Sequence, residues 1–208
     1  MDATELFVSS RIVPVVAIGD ESVAVDLAIS LRDAGIKALE VTLRTAAALR
    51  AIELIASRVP DIIVGAGSVR RPDQFPEIVE RGARFAVSPG SSDSLIAKAK
   101  ESKMPFIPGA VTATEILVLM ERGYSLQKFF PAELSGGVAK LKALSAPLPE
   151  VRFFPTGGID NTLISEYLSL ECVNCVGGSW FVPIALLAEK NFTRIRELTV
   201  QAIQHSHE

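Results

Sequence analysis

Cysteine, histidine and tryptophan are nearly absent from this chain: 208 residues hold two, two and one of them. Each shortage removes a class of chemistry. Cys172 and Cys175 alone cannot build a disulfide framework, and a zinc site at their Cys-x-x-Cys spacing needs further ligands. The histidines that could supply them, His205 and His207, fall in what reads as a frayed C-terminal tail. Residues three apart on a strand face opposite sides. The cysteines are therefore expected to be unpaired structural thiols, and no metal or other cofactor is expected. Excess positive charge is missing too. With 21 Lys and Arg against 24 Asp and Glu the net charge is −3, which argues against nucleic acid as a partner and leaves room for a local anion pocket. No apolar run approaches the roughly 18 residues that span a bilayer, so no membrane partner is expected. The acidic start, Met1-Asp2-Ala3-Thr4-Glu5, lacks the charged-then-apolar pattern of an export signal, which predicts a cytoplasmic location.

What the chain does contain is a regular alternation of short Val, Ile and Phe runs with longer segments of helical period, and no linker interrupts it. The pattern predicts strands near 12–18, 37–43, 62–66, 84–88, 105–108, 126–130, 151–155 and 172–176. Between them it predicts helices near 21–34, 45–58, 73–81, 92–103, 112–122, 136–145 and 161–169, with a last helix over 183–203. Gly35, Gly82 and Gly123 stand where glycine ends a helix in the left-handed conformation. Eight strand–helix units in a chain of this length predict an α/β fold: a single (β/α)8 TIM-barrel domain over residues 1–208, with a short helix near 3–9 plugging its bottom. A doubly wound open sheet is the alternative, and no G-x-G-x-x-G follows the first strand to support it. Pro14, inside the first strand, reads as a bulge or a constraint on cavity shape.

In a barrel, chemistry collects at the C-terminal ends of the strands. There the sequence places Glu40 to Arg44, Gly65-Ala66-Gly67-Ser68, Ser88-Pro89-Gly90, Pro108-Gly109, Lys128 to Pro131, Thr156-Gly157-Gly158 and Gly177-Gly178-Ser179. The second strand alternates Leu39, Val41 and Leu43 with Glu40, Thr42 and Arg44. With the apolar set against helices, Glu40 points inward, where a carboxylate must be paired or functional. A Glu–Arg pair that merely satisfies the interior is the bland reading. Lys128 lies in Tyr124-Ser125-Leu126-Gln127-Lys128-Phe129-Phe130-Pro131 and shares a face with Phe130. A lysine there either snorkels to water or is desolvated, and desolvation favours the neutral, nucleophilic amine of a Schiff-base enzyme. Lysine, carboxylate, arginine and an aromatic wall suit attack on a ketone, proton shuttling and the holding of an acidic substrate. Glycine pairs after the seventh and eighth strands suit a phosphate, which bare backbone N–H groups can cradle.

These segments resemble the 2-keto-3-deoxy-6-phosphogluconate aldolases, from about residue 11 to 183 and in order: Leu39-Glu40-Val41-Thr42-Leu43-Arg44-Thr45, Val64-Gly65-Ala66-Gly67-Ser68-Val69, Ala86-Val87-Ser88-Pro89-Gly90, Lys128-Phe129-Phe130-Pro131-Ala132-Glu133, Phe154-Pro155-Thr156-Gly157-Gly158-Ile159 and Gly177-Gly178-Ser179-Trp180. The resemblance implies a metal-free class I aldolase, a homotrimer, that also cleaves 4-hydroxy-2-oxoglutarate. It implies Lys128 as the Schiff-base lysine and Glu40 as general acid/base. Arg44, Ser68 and Pro89 then surround the pyruvyl end and Phe130 packs on it, while Thr156, Gly157, Gly158, Gly178 and Ser179 serve the distal hydroxyl and phosphate. The family usually has threonine at Ser68; the hydroxyl survives and a methyl is lost. The galactonate-configured 6-phosphate is the alternative substrate, against which Thr156 argues. A phosphosugar isomerase using Glu40 as base and a non-catalytic phosphoanion sensor are the other readings.

Overall fold

A computed structural model of the chain describes Phe7 and residues 10–207. The strands are β1 (Ile12–Val16), β2 (Ala38–Thr42), β3 (Ile63–Gly67), β4 (Ala86–Val87), β5 (Phe106–Ile107), β6 (Leu126–Phe129), β7 (Arg152–Pro155) and β8 (Val176–Gly178). The helices are α1 (Ala24–Asp33), α2 (Ala48–Arg58), α3 (Gln74–Glu80), α4 (Asp93–Ser102), α5 (Ala113–Glu121), α6 (Gly137–Ser145), α7 (Ile164–Leu168), α8 (Ile184–Ala188) and α9 (Phe192–His205). A 3-10 turn at Glu21–Val23 precedes α1, with the Asp20 carboxylate accepting from the Ser22 N–H.

All strand pairs are parallel, as expected when helices cross from one strand to the next. Six strands form one sheet in the order β5-β4-β3-β2-β1-β8, and β6 and β7 form another. Parallel bridges link the two: Gly109 with Lys128 on one side, Phe153 with Val173 and Thr156 with Gly177 on the other.

Alternation along the strands divides the core in two. Ile12, Val16, Leu39 and Val41 join a large apolar cluster with helix residues such as Leu27, Ile52, Ile55 and Ile195. Val13, Val15, Ala38, Phe85, Val87, Ile107, Leu126, Phe154 and Cys175 form a second cluster on the helix-free face. Phe7 closes it, edge-on to Phe85 at 5.1 Å and stacked on Phe154 at 5.8 Å. The expected short helix near 3–9 otherwise lies outside the described residues. Burying a Leu, Ile or Phe side chain contributes about 1.5–3 kcal/mol, so both clusters stabilise the sheet. Only the second sits under Glu40 and Lys128, which follow Ala38 and Leu126 on the same strand face.

Four expectations need correction. The eighth strand starts at Val176, later than 172, because Val173 N–H closes a turn onto Leu170 O and pairing with β1 begins only when Val176 N–H reaches Arg11 O. The last helix is broken: Lys190 adopts a left-handed backbone (φ 55) and Asn191 caps a fresh helix by accepting from Arg194 N–H. The C-terminal tail is docked, not frayed. Ser206 is buried, and Ser165 Oγ donates to His205 O from the neighbouring helix region. Pro14 sits within an uninterrupted β1, paired with Gly178.

Candidate active site

β6 carries Leu126 and Lys128 on the helix-free face and Phe129 in the helix-side cluster. The Lys128 backbone is fixed on both sides, through β7 and through Lys128 N–H to Pro108 O at 2.8 Å and Ala110 N–H to Lys128 O at 2.9 Å. Its side chain is 5% exposed and its Nζ lies 3.3 Å from Oε1 of Glu40, whose side chain is fully buried. Phe130 and Phe154 stand around the amine, with ring centroids 5.2 and 5.8 Å from Nζ. A buried ion pair is held chiefly by having no alternative partner, and removing one member strands the other at about 3–5 kcal/mol. Chemically it offers a nucleophilic nitrogen with a proton acceptor beside it.

Room for this pair comes from β3. A Cβ built on Gly67 would overlap the Glu40 carboxylate, and one on Gly65 would overlap the Phe85 ring. Glu40 therefore owes its position to a bare backbone on the next strand. Its other oxygen, Oε2, is buried without a hydrogen-bond partner among the described residues, as are Ser88 Oγ and Thr156 Oγ1. Unsatisfied buried polar atoms cost about 1–3 kcal/mol each. Ser88 and Thr156 directly follow β4 and β7, so two of these oxygens stand at C-terminal strand ends, where a polar ligand can engage them.

Arg44 lies two residues past the end of β2, in a turn where its N–H donates to Thr42 O, and it is no partner of Glu40. It is exposed, and its Nε donates to Thr42 Oγ1 at 3.1 Å, which in turn donates to Val16 O. Ser68 is half-buried with a left-handed backbone (φ 57) at the end of β3. Pro89 is half-buried, and its carbonyl lies against Gly109 so closely that a Cβ there would strike it. With Gly90, Pro89 lines a cleft of about 280 Å³ at the ends of β3 and β4.

The second half of the site is mostly backbone. Thr156 is buried, its N–H donates to Phe129 O, and its side chain fills the space left by Gly177. Gly157 and Gly158 both take positive φ, 102° and 85°, which only glycine adopts without strain. A Cβ on Gly157 would lie 3.3 Å from the Phe130 ring, so this turn touches the wall of the lysine site. Gly178 lies beneath the Trp180 ring and leaves no space for a side chain; Ser179 between them is exposed. The structure thus unites Lys128, Glu40 and Phe130 directly and sets Thr156 and Gly157 beside them. Arg44 is linked only through Thr42.

Several participants escaped the sequence reading. Phe154 faces Lys128 because the two are register partners, and the Phe-Phe-Pro stretch of β7 was the available signal. Tyr167 OH donates to Glu133, and Trp180 Nε1 donates to Asn161 Oδ1 at 2.6 Å; no local pattern marks either pair. Cys172 packs on the helix-side cluster and Cys175 lies in the other, both as free thiols. Burial pushes the Cys175 thiol well above its ordinary range, so it stays protonated. Among the described residues no three His, Cys, Asp or Glu are grouped to hold a metal ion, and no helix is long and apolar enough to cross a membrane.

Residues 4–198 match the family model described as KDPG and KHG aldolase. The KHG/KDPG aldolase of Escherichia coli is 43% identical over 202 residues, spanning 97% of this chain and 95% of that protein. A crystal structure of KDPG aldolase from Legionella pneumophila, with pyruvate captured at low pH as a covalent carbinolamine intermediate, superposes with a TM-score of 0.94 at 42% identity, covering 97% of this chain and 98% of that one. The Zymomonas mobilis enzyme, solved with 3-phosphoglycerate, gives a TM-score of 0.91 at 38% identity and covers 97% and 94%. Agreement at this level over nearly whole chains leaves one conclusion: this chain belongs to the KDPG and KHG aldolase family.

Proposed function

We propose that the chain is a class I aldolase that cleaves 2-dehydro-3-deoxy-6-phospho-D-gluconate to pyruvate and D-glyceraldehyde 3-phosphate, and 4-hydroxy-2-oxoglutarate to pyruvate and glyoxylate. The observation that carries this reading is the buried Lys128–Glu40 pair, Nζ to Oε1 at 3.3 Å, walled by Phe130 and Phe154.

Lys128 passes its proton to Glu40 and its neutral Nζ attacks carbon 2 of the keto acid; Glu40 returns that proton to the carbinolamine hydroxyl, which leaves as water to give an iminium. Glu40 takes the proton of the carbon-4 hydroxyl, the bond between carbons 3 and 4 breaks, and its electron pair flows into the iminium to form an enamine. The aldehyde leaves. Protonation at carbon 3 and hydrolysis release pyruvate and restore the amine, and no step calls for a metal. Arg44 holds the substrate carboxylate, with Ser68 and Pro89 around it, and Phe130 packs on the pyruvyl group. Thr156 meets the distal hydroxyls. The backbone of Gly157, Gly158 and Gly178, together with the Ser179 hydroxyl, receives the phosphate.

We further infer that the two sheets act as one (β/α)8 barrel. The bridges at Gly109–Lys128 and Thr156–Gly177, and the helix-free apolar cluster with Phe7 at its base, support it. A homotrimer is proposed, supported by exposed apolar side chains such as Leu134, which is 91% exposed; sedimentation tests it. A cytoplasmic site is proposed because a phosphorylated substrate does not cross membranes unaided.

Borohydride reduction in the presence of pyruvate, followed by peptide mass spectrometry, tests the mechanism. A stable pyruvyl adduct on Lys128 is expected, and Lys128→Ala should abolish both adduct and turnover. An unmodified Lys128 in folded protein would replace the aldolase reading with the isomerase one. Turnover of the gluconate and galactonate epimers side by side then fixes the sugar configuration.

A further inference from the structure

Glu133 stands five residues past Lys128 on the loop leaving β6, and four contacts place it between the two halves of the site. Its backbone N–H donates to Gly157 O at 3.1 Å, beside the Ala132 N–H bond to Thr156 O at 2.8 Å. Its Cβ is the atom that a side chain on Gly158 would meet, at 2.7 Å. Its carboxylate lies at the first residue of α6, 3.1 Å from where a Cβ on Gly137 would be, where the helix N-terminus favours negative charge. Finally, the same carboxylate accepts the hydroxyl of Tyr167, which is fully buried on α7, the helix that follows the Gly157–Gly158 turn.

The consequence is a closed brace. The β6 loop bonds to the β7 turn through its backbone, and the helix after that turn reaches back to the β6 loop through one half-buried side-chain hydrogen bond. The Gly157–Gly158 turn lies inside the brace. Two glycines at positive φ make a flexible segment, so a precise position must be imposed from outside it. Phe130, which leads into the same loop, contacts the turn from the lysine side.

We propose that Glu133 and Tyr167 are positioning residues that hold the Gly157–Gly158 turn in place for the phosphate-bearing end of the substrate, and so set the preference for the phosphorylated six-carbon keto acid over the short unphosphorylated one. This rests on the aldolase reading above. Neither residue touches the reacting carbons; each acts through the turn.

Tyr167→Phe keeps the buried ring and deletes only the donor. In the full-length protein its KM for the phosphorylated substrate should rise about tenfold, the size expected when a hydrogen bond to a charged group is lost, with kcat changed less than about threefold. KM and kcat for 4-hydroxy-2-oxoglutarate, and the rate of pyruvate trapping by borohydride, should stay at wild-type values. Glu133→Gln retains an oxygen to accept from Tyr167 and should keep nearly the wild-type preference, whereas Glu133→Ala should reproduce Tyr167→Phe. Should Tyr167→Phe not fold, Glu133→Ala carries the test. Equal losses on both substrates, or unchanged KM on both, would overturn the proposal while leaving the aldolase intact. A wild-type protein that traps no pyruvate would overturn the underlying reading instead.

Discussion

At the lysine end of the site the reacting groups are side chains on regular strands, Lys128 from β6 and Glu40 from β2, both buried and fixed by ladders on either side. At the distal end the working groups are largely backbone, in turns that follow β7 and β8, and Gly158 and Ser179 are exposed. The first end resists change because its neighbours are close-packed; the second keeps its shape because particular φ angles and one half-buried brace hold it. Chemistry that must move protons in a dry place is built the first way. A cradle that must admit and release a hydrated phosphate is built the second way.

Breaking the lysine end should have the largest effect. Glu40→Gln preserves shape and removes the proton acceptor, so kcat should fall about 10²- to 10⁴-fold on phosphorylated and unphosphorylated substrates alike, with KM little changed. Pyruvate trapping on Lys128 should persist at a reduced rate. Steady-state kinetics on both substrates decide it, and a loss below about tenfold would remove Glu40 from the proton-transfer role.

Two glycine variants sharpen the contrast at intermediate size. Gly67→Ala puts a methyl group into the Glu40 carboxylate; overpacking of this kind costs about 1–3 kcal/mol of stability and should lower kcat on both substrates. Gly158→Ala forces a side chain to φ 85 and against Glu133 Cβ, at about 1–2 kcal/mol of strain, and should raise KM for the phosphorylated substrate alone. Thermal melts give the stability changes and paired kinetics give the split. If Gly158→Ala harms both substrates equally, the two ends are not separable.

The same contrast explains what could be read from the sequence. Period two in Leu39-Glu40-Val41-Thr42-Leu43-Arg44 places Glu40 on the face away from helices, and it lies there in the structure, because helix-side packing sorts apolar from polar side chains. Period two alone names no partner for Glu40: the bland reading is a Glu–Arg pair, the catalytic one gathers Lys128, Glu40 and Arg44 about one cavity, and the structure pairs Glu40 with Lys128, 88 positions away in sequence, and not with Arg44. Glycine pairs announced the distal turns through backbone demands that few other residues meet. The Glu133–Tyr167 bond spans 34 positions and likewise lacks any periodic mark. Strand eight was misplaced because Cys172 to Cys175 are apolar enough for a strand, while pairing geometry with β1 decides where the ladder begins.

The smallest effect should come from a feature at the same strand ends that serves neither half. Thr112 and Glu115 form a reciprocal cap on α5: Glu115 N–H donates to Thr112 Oγ1, and Glu115 Oε2 accepts from the N–H groups of Val111 and Thr112, each at 2.9 Å. Partial burial raises the Glu115 carboxyl pKa, but the hydrogen bonds from Val111 and Thr112 outweigh it and hold the value below the ordinary 4.5. A depressed folded value means the stabilisation is complete above pH 4.5 and fades as pH drops through the folded value. Thr112→Ala should therefore cost about 1 kcal/mol at neutral pH and leave kinetics on both substrates unchanged. The stability gap between Glu115→Gln and wild type should narrow as urea melts are repeated at falling pH below 4.5. A kinetic change in Thr112→Ala would mean that the Gly109–Ala110 segment, which bonds the Lys128 backbone, transmits strain from this cap into the lysine end. The contrast would then be between three regions, not two.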